Sequence, residues 1–263
     1  MFRINYILKR PERILPWGDK EKSLYWFGLT DGLLWIRAGE SVIYEYAGPH
    51  EGDFGESVIY NDYQISRFAE DLFALTQVIP ESLPEELYGA AETMGRDLQV
   101  WNSLYEDLRG DAYDRFREEA YEPLSEWFYG RFMNSVHLKG GPCIGYFRKG
   151  GLIKIVWDSD IRELWRSPFG TYEMEYCAFA EEVSRFVTDF LRDMDNQTKE
   201  AAEKGIPGVY MDTEALFREN RRRREIFTRQ LGQLYAEDRE NTDWKRITDL
   251  YDRMRRETGI RRE

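Results

Sequence analysis

The 263-residue sequence predicts an α+β fold in which two β-hairpin, strand and helix repeats contribute antiparallel sheet. A helical connector separates the repeats, and a helical hairpin follows the second one. Three observations indicate this fold: short apolar runs between turn signals, apolar residues at helical spacing after each group of runs, and residue-level likeness between the two groups. The predicted units are residues 1–80, 81–134, 135–210 and 211–263.

The first unit is predicted to begin with a three-stranded meander. Residues 24–29 and 33–37 are short apolar runs, and the Asp31–Gly32 pair between them favours a two-residue hairpin turn. A third run covers residues 41–46. We therefore interpret the segment WFGLTDGLLWI as a hairpin that packs under a helix, rather than as a ligand pocket.

A loop, a strand and a helix complete this unit. The loop GPHEGDFGE at residues 48–56 leads into a strand near residues 57–60. Apolar residues at helical spacing then predict a helix that ends before Pro80, because the residue preceding a proline disfavours helical geometry. These apolar residues are Ile65, Phe68, Leu72, Leu75 and Ile79.

The same order of elements is predicted in the second repeat. A hairpin covers residues 143–157, an acidic loop follows from Asp158, and a strand covers residues 171–175. A helix then extends from about residue 177 to residue 203, where a Gly-Ile-Pro-Gly sequence ends it.

Short stretches of similar sequence recur in both repeats. Gly-Leu-Leu-x-Ile from Gly32 matches Gly-Leu-Ile-x-Ile from Gly151. Phe-Ala-Glu-Asp-Leu from Phe68 matches Phe-Ala-Glu-Glu-Val from Phe179. We interpret these matches as an internal duplication of one β-hairpin, strand and helix unit.

The connector and the C-terminal unit are predicted to be helical. The first connector helix begins at Pro84, and the second begins at Asp111 with a kink or restart at Pro123. Two amphipathic helices follow the second repeat, one capped by Asp212 and one starting at Asn241, and their apolar stripes predict a helical hairpin.

The charge composition distinguishes classes of partner. The formal net charge is −12 and the isoelectric point is about 4.9, so general nucleic-acid binding is disfavoured and a basic protein partner is favoured. Residues 218–263 carry a net charge of +4, which leaves −16 on residues 1–217. No apolar run approaches the roughly 18 residues of a membrane helix, and no signal-peptide pattern is found. We expect a cytoplasmic protein without membrane contact.

Catalytic residue types are scarce. His50 lies in a loop that has the ligands for a cation but is more typical of a solvated loop, and His137 is expected to pack in a strand. Cys143 and Cys177 form no C-x-x-C motif and are expected to be buried free thiols. No phosphate-binding, dinucleotide-binding or nucleophilic-serine motif is present. Neither a metal nor a cofactor is predicted, and we favour a protein that is not an enzyme.

Carboxylates cluster in the loops of both repeats. If the repeats are equivalent, these loops leave equivalent sheet ends and face each other. They then form either an acidic surface with an aromatic anchor for a protein partner, or a metal-binding or glycosidase-like acid pair. We favour the protein-binding surface. The candidate residues are Glu51, Asp53, Glu56, Asp158, Asp160, Glu163 and Trp165.

The sequence also contains one compact basic run, the four arginines at residues 221–224. Such a run is typical of nucleic-acid contacts or of a nuclear-type signal. It lies in a predicted amphipathic helix beside Glu219 and Glu225. A solvated face, or pairing with the protein's own acidic body, is therefore the favoured interpretation.

Two motifs resemble an uncharacterised bacterial family of unknown function. The first is W-F-G-L-T-D-G from Trp26 with the Trp-Ile strand that follows, and the second is G-P-x-I-x-x-[FW]-R-x-G from Gly141 with a strand ending at Asp158. The likeness covers most of residues 12–225 and leaves the last helical pair as an extension. It implies a bacterial, cytoplasmic and soluble protein, and it transfers no catalytic residue.

Together these features predict an acidic cytoplasmic binding protein. Its expected role is that of an immunity-type protein, which neutralises a basic bacterial toxin by direct binding. Two alternatives remain open: a carboxylate- or metal-dependent hydrolase, and a regulatory or structural protein whose partner is unknown.

Overall fold

The computed structural model describes residues 1–107, 110–133, 138, 140–236 and 241–259. Within these residues the chain combines two antiparallel sheets with α-helices, which confirms the predicted α+β class. The strand-like segment predicted around His137 lies outside the described residues.

The first sheet has the strand order β1-β2-β5-β4, and β3 pairs with β2. Its strands are β1 (Phe2–Leu8), β2 (Asp31–Ala38), β3 (Ser41–Ile43), β4 (Glu45–Glu51) and β5 (Ser57–Gln64). Successive side chains of a strand point to opposite faces of the sheet. The buried residues Phe2 and Ile4 of β1, and Leu34 and Ile36 of β2, follow this alternation. One face of the sheet is therefore apolar and covered.

The predicted hairpin turn at Asp31 and Gly32 is wrong. Asp31 starts β2, and the partner of this strand is β1, in which Leu8 pairs with Gly32. A Cβ atom at Gly32 would lie 2.3 Å from the backbone oxygen of Ile7. The glycine therefore permits close approach of two strands instead of forming a turn. The strand predicted at residues 24–29 is instead a turn that leads into a 3-10 helix.

The second sheet has the order β6-β7-β8 and leads directly into a helix. Its strands are β6 (Cys143–Lys149), β7 (Leu152–Asp158) and β8 (Phe169–Glu175), and the helix is α6 (Tyr176–Lys204). The corresponding helix of the first repeat is α1 (Ile65–Ala74), which follows β5.

In the first sheet β1, β2 and β5 are antiparallel neighbours, and α1 follows β5 directly. In the second sheet β6, β7 and β8 are antiparallel neighbours, and α6 follows β8 directly. Phe68 of α1 and Phe179 of α6 are each the fourth residue of their helix and are buried. In the first sheet, however, β5 lies between β2 and β4, whereas β8 is an edge strand, so the internal duplication stays a prediction.

Helix α6 packs against both sheets. The ring of Phe179 lies 5.7 Å from that of Phe2 in β1 and 5.4 Å from that of Tyr146 in β6, measured between centroids. Two turns later, Phe186 contacts Tyr6 of β1 edge to face at 5.6 Å. A single helix therefore joins the two repeats into one apolar core.

Polar side chains of α6 cover the outer edge of β1. Glu182 accepts a hydrogen bond from the backbone N–H of Ile4 at 2.7 Å, and Arg185 donates to the carbonyl of the same residue at 2.5 Å. Gln197 donates to the carbonyl of Lys9 at 2.6 Å. These contacts satisfy backbone groups that an edge strand would otherwise leave unpaired.

The connector forms a helical layer with its own apolar core. Its helices are α2 (Glu85–Ala90), α3 (Met94–Ser103), α4 (Asp111–Phe116) and α5 (Glu122–Tyr129). A π-helical turn separates α4 from α5, and Pro123 lies at the start of α5, where its missing N–H is tolerated. Trp101 and Phe128 pack in this core against Phe147 from the second sheet. The predicted restart near Pro123 is confirmed.

The C-terminal unit is a helical hairpin, as predicted. Its helices are α7 (Thr213–Leu231) and α8 (Trp244–Thr258). Asp212 accepts from the backbone N–H of Ala215 at 2.9 Å, and Asp243 accepts from that of Arg246 at 3.0 Å, so each helix has a side-chain cap. Helix α7 packs on α6, whereas α8 packs on α3 and α5. The hairpin thus contacts both the sheets' core and the helical layer.

Candidate functional site

A stack of rings connects the second acidic loop to the first repeat. Trp165, after β7, stacks on Tyr46 of β4 with centroids 4.8 Å apart, and Tyr46 stacks on His50 at 4.1 Å. The backbone N–H of Arg166 donates to the carbonyl of Glu45 at 2.8 Å, and the two side chains form an ion pair at 2.6 Å. The loop after β7 therefore contacts the start of β4, the strand that leads into the first loop, and a shared carboxylate surface stays a prediction.

Trp165 lies beneath this joint rather than on its surface. Its side chain is buried, and its indole N–H donates to the carbonyl of Gly140 at 2.7 Å. It cannot offer the exposed aromatic anchor for which it was a candidate, but it fixes the position of the loop. Phe169 is the large apolar residue that the same segment exposes, with 58% of its surface accessible.

The remaining candidates of the second loop are accessible to solvent. Asp158, Asp160 and Glu163 are all exposed. Asp158 accepts from the guanidinium of Arg162 at 3.2 Å, and that guanidinium also lies 4.6 Å from the ring centre of Phe169. The loop therefore presents carboxylates and an aromatic ring next to each other.

The first loop holds its carboxylates differently. Glu51 is exposed, and Glu56 accepts from the backbone N–H of Phe54 at 2.9 Å. Backbone hydrogen bonds to its carboxylate, with help from Arg13 at 3.5 Å, lower the pKa of Glu56. Glu56 is therefore anionic at neutral pH.

His50 stacks on a tyrosine and does not share a metal-binding cluster among the described residues.

Asp53 belongs to a carboxylate cluster that the sequence does not reveal. Oxygens of Asp31, Asp53 and Asp62 lie within 4.8 Å of one another, a spacing that suits a divalent cation. The ammonium group of Lys9 lies among them, at 3.1, 2.7 and 2.6 Å respectively. The protein thus supplies its own cation to this cluster.

The ionisation of the cluster reflects competition between burial and pairing. Burial raises the pKa of Asp31 and of Asp62, and the nearby Lys9 offsets part of this effect. Burial disfavours the charged form of Lys9, but the surrounding carboxylates outweigh it and raise its pKa. The register of β2 with its neighbours brings these groups together from separate elements, for example by pairing Leu33 with Asp62.

A cleft of about 1030 Å³ opens between the second sheet and the connector helices. Five of its eighteen lining residues are aromatic, and the candidate carboxylates Asp158 and Asp160 line it as well. The aromatic lining residues are Phe128, Tyr129, Phe132, Trp157 and Phe169. A cleft of about this volume that combines apolar surface with polar side chains is typical of a binding site.

The connector that flanks this cleft is strongly acidic. Residues 81–134 contain thirteen Asp or Glu and five Arg, a net charge of −8. Exposed carboxylates in this stretch include those of Glu106, Asp114, Glu118 and Glu126. Most of the protein's negative charge therefore lies in the layer beside the cleft.

Both cysteines are exposed thiols, which corrects the expectation of buried thiols. Cys143 lines the cleft at the start of β6, opposite Asp158 in the register. Position 143 follows a Gly-Gly-Pro turn at the sheet end, where a side chain is not enclosed by neighbouring elements. No disulfide joins Cys143 to Cys177.

The basic run pairs with the protein's own carboxylates. Arg223 forms ion pairs with Glu219 at 2.6 Å and with Glu70 of α1, and Arg224 pairs with Asp195 of α6. The favoured interpretation, pairing with the acidic body, is confirmed for these two arginines. The run binds α7 to the rest of the molecule.

A model of one protein family matches residues 3–250. The chain belongs to DUF5984, a family of unknown function. Because the match reaches into α8, the last helical pair is part of the family region and is not an extension. No curated protein and no solved structure matches the DUF5984 chain. Among the residues that the structure describes, no helix combines the length and the apolar character needed to cross a bilayer.

Proposed function

We propose that this protein binds a basic protein partner through its joined acidic loops, as an immunity-type protein that neutralises a basic bacterial toxin in the cytoplasm. The observation that carries the proposal is the stack of Trp165 on Tyr46, which joins the second acidic loop to the strand that leads into the first. The aromatic cleft borders the second loop through Asp158 and Asp160.

Electrostatics supports a cationic partner. The net charge of −12 and the exposed carboxylates of the two loops create a negative potential that accelerates encounter with a basic surface and rejects acidic ones. Toxins that act on nucleic acids need a basic surface to bind phosphates. A negatively charged face that covers such a surface blocks substrate access without any chemical step.

The geometry supports a preformed surface. Trp165 is hydrogen-bonded to Gly140. Arg166 is hydrogen-bonded to Glu45 through the backbone and forms an ion pair with it through the side chains. A loop fixed in this way loses little conformational entropy when a partner binds, so more of the contact energy becomes affinity.

The test is copurification with the product of the neighbouring gene in the native host. Simultaneous reversal of the second loop, Asp158→Lys, Asp160→Lys and Glu163→Lys, is expected to weaken capture by at least about tenfold, because like charges then face each other. The control reverses three exposed carboxylates of α6 and α7, Glu181→Lys, Glu203→Lys and Glu214→Lys. The proposal fails if both variants are captured equally well.

One observation favours a second candidate, the carboxylate- or metal-dependent hydrolase. Asp31, Asp53 and Asp62 have the spacing of cation ligands, and a metal that displaced Lys9 would be held by three carboxylates. This function requires stoichiometric metal in the purified protein and its loss in Asp53→Ala. Metal-free protein with full partner binding excludes it.

A further inference from the structure

Gly95 leaves the helical wall of the cleft without a side chain. It lies near the start of α3, where glycine is a poorer helix former than alanine by up to about 1 kcal/mol. A Cβ atom there would lie 3.4 Å from the ring of Phe128 and 3.6 Å from the hydroxyl of Tyr129, which is ordinary contact. A larger side chain at this position would therefore extend along the aromatic wall and occupy the cleft.

A second glycine lies on the sheet side of the same cleft. A Cβ atom at Gly170 would lie 2.4 Å from the ring of Trp157, so the indole occupies the space that a side chain would need. Phe169 beside it is exposed, and Phe132 lines the cleft from the end of the connector. The exposed rings of Phe169 on the sheet side and of Tyr129 on the helical side thus offer accessible aromatic surface.

The charges around the cleft favour a cationic occupant. Of its carboxylates, Glu92 already pairs with Lys154 at 2.9 Å and Asp158 with Arg162 at 3.2 Å. Asp160 is exposed and lines the cleft as well. The three acids of the lining outnumber its two arginines by one, and the adjoining connector, with a net charge of −8, adds to the negative potential.

We infer that this cleft is the docking site for an amphipathic basic segment of the protein partner. Apolar side chains of the segment pack against Tyr129, Phe132 and Phe169, and its lysine or arginine side chains face Asp160 and the acidic connector. This inference rests on the proposed function and specifies how the partner is recognised. Aromatic anchors supply most of the binding energy of such contacts, whereas the charges select the partner.

The test begins with selection of a phage-displayed library of random linear peptides on the full-length protein. Enriched peptides are expected to combine aromatic or aliphatic residues with lysine or arginine. Their affinity should fall at least about tenfold on Gly95→Trp, which fills the cleft. Gly89→Trp is the matched control, because Gly89 is an exposed helical glycine of α2 at which an added Cβ would meet no atom within 4 Å.

Alkylation of Cys143 provides a readout that needs no variant in the cleft. A bound peptide should slow the reaction of iodoacetamide with Cys143, which lines the cleft, and leave the exposed Cys177 as an internal reference. The inference is overturned if no peptide is enriched, if the enriched peptides are acidic, or if Cys143 reacts at the same rate with and without peptide.

The two proposals fail in different ways. If the natural partner is captured equally by the wild type and by Gly95→Trp, but not by the loop-reversed variant, the cleft is not the docking site and the acidic surface still is. If Gly95→Trp alone loses the partner, apolar docking in the cleft stands, and the roles of the loop charges, including that of Asp160, are refuted. Circular dichroism of both tryptophan variants checks that the fold is intact.

Discussion

The guanidinium of Arg131 lies 2.5 Å from the carboxylate of Glu81, and each side chain is only 2% exposed. The rings of Trp127 and Trp244 lie 5.2 and 5.8 Å from the guanidinium carbon. The same carboxylate accepts from the hydroxyl of Thr242 at 2.9 Å. This pair connects the end of the first repeat, the connector and the start of α8.

Glu81→Ala should lower the free energy of unfolding by about 3–5 kcal/mol, because it leaves the guanidinium of Arg131 buried without its counter-ion. Chemical denaturation measures the change. The control is Glu85→Ala, which removes the ion pair between Glu85 and Lys149. Because the side chain of Glu85 is 75% exposed, this substitution should cost less than about 1 kcal/mol. Equal effects of the two substitutions would contradict a structural role for the buried pair.

Lys9→Met should destabilise the protein strongly, because three carboxylates then lose the only ammonium group placed among them in the described residues. The decrease in the free energy of unfolding is expected to be larger near about pH 8 than near about pH 5. Buried carboxylates with raised pKa values take up protons on folding, and this uptake favours the folded state at lower pH. Denaturation of Lys9→Met at both pH values tests this. Lys20→Met, at an exposed lysine, is the control and should change little.

Asp71 is expected to make stability depend on pH. Burial raises its pKa to about 6, and Arg67 at 3.4 Å offsets only part of this effect. Between about pH 4 and pH 6 the unfolded chain releases this proton before the folded chain does, so the contribution of Asp71 to stability falls as the pH rises. As the pH rises from about 4 to about 7, the free energy of unfolding of Asp71→Asn should therefore increase relative to that of the wild type by up to about 3 kcal/mol. A stability difference that does not change with pH would contradict the raised pKa.

Gly170→Ala should cost about 1–3 kcal/mol, because the added Cβ lies 2.4 Å from the buried ring of Trp157. The indole also donates to the carbonyl of Ser167 at 3.1 Å, so it cannot move without losing this hydrogen bond. Thermal unfolding compares this variant with Gly48→Ala, whose Cβ would meet no atom within 4 Å. Similar midpoints for the two variants would show that the ring shifts freely.

The helix ends were predictable because their chemistry is local. Asp212 caps α7, the Asn-Thr-Asp sequence starts α8, and Gly205 adopts a φ of +63° at the end of α6. The first strand pair was not predicted, because Asp31 and Gly32 have the composition of a turn. The alternation of Phe2 and Ile4 with polar residues is the local signal that indicates β1 instead.

The candidate site was predictable in part. The sequence places Asp158, Asp160 and Glu163 in one loop, and the duplication predicts that this loop meets the loop of the first repeat. It does not show that Trp165 is buried at the joint, since burial depends on Tyr46 from the other repeat. The cleft likewise depends on Gly95 and the sheet face beneath it, which lie far apart in sequence and meet only through tertiary packing.

Because α6 covers the edge of β1, the order of synthesis on the ribosome has a consequence for the nascent chain. Strand β1 emerges first, but Glu182 and Arg185 follow only after the second sheet has been translated. Until then the backbone of Ile4 has no partner on its outer side, and the first sheet is open to pairing with a neighbouring polypeptide. Translation that stalls before α6 should therefore yield fragments that aggregate through β1.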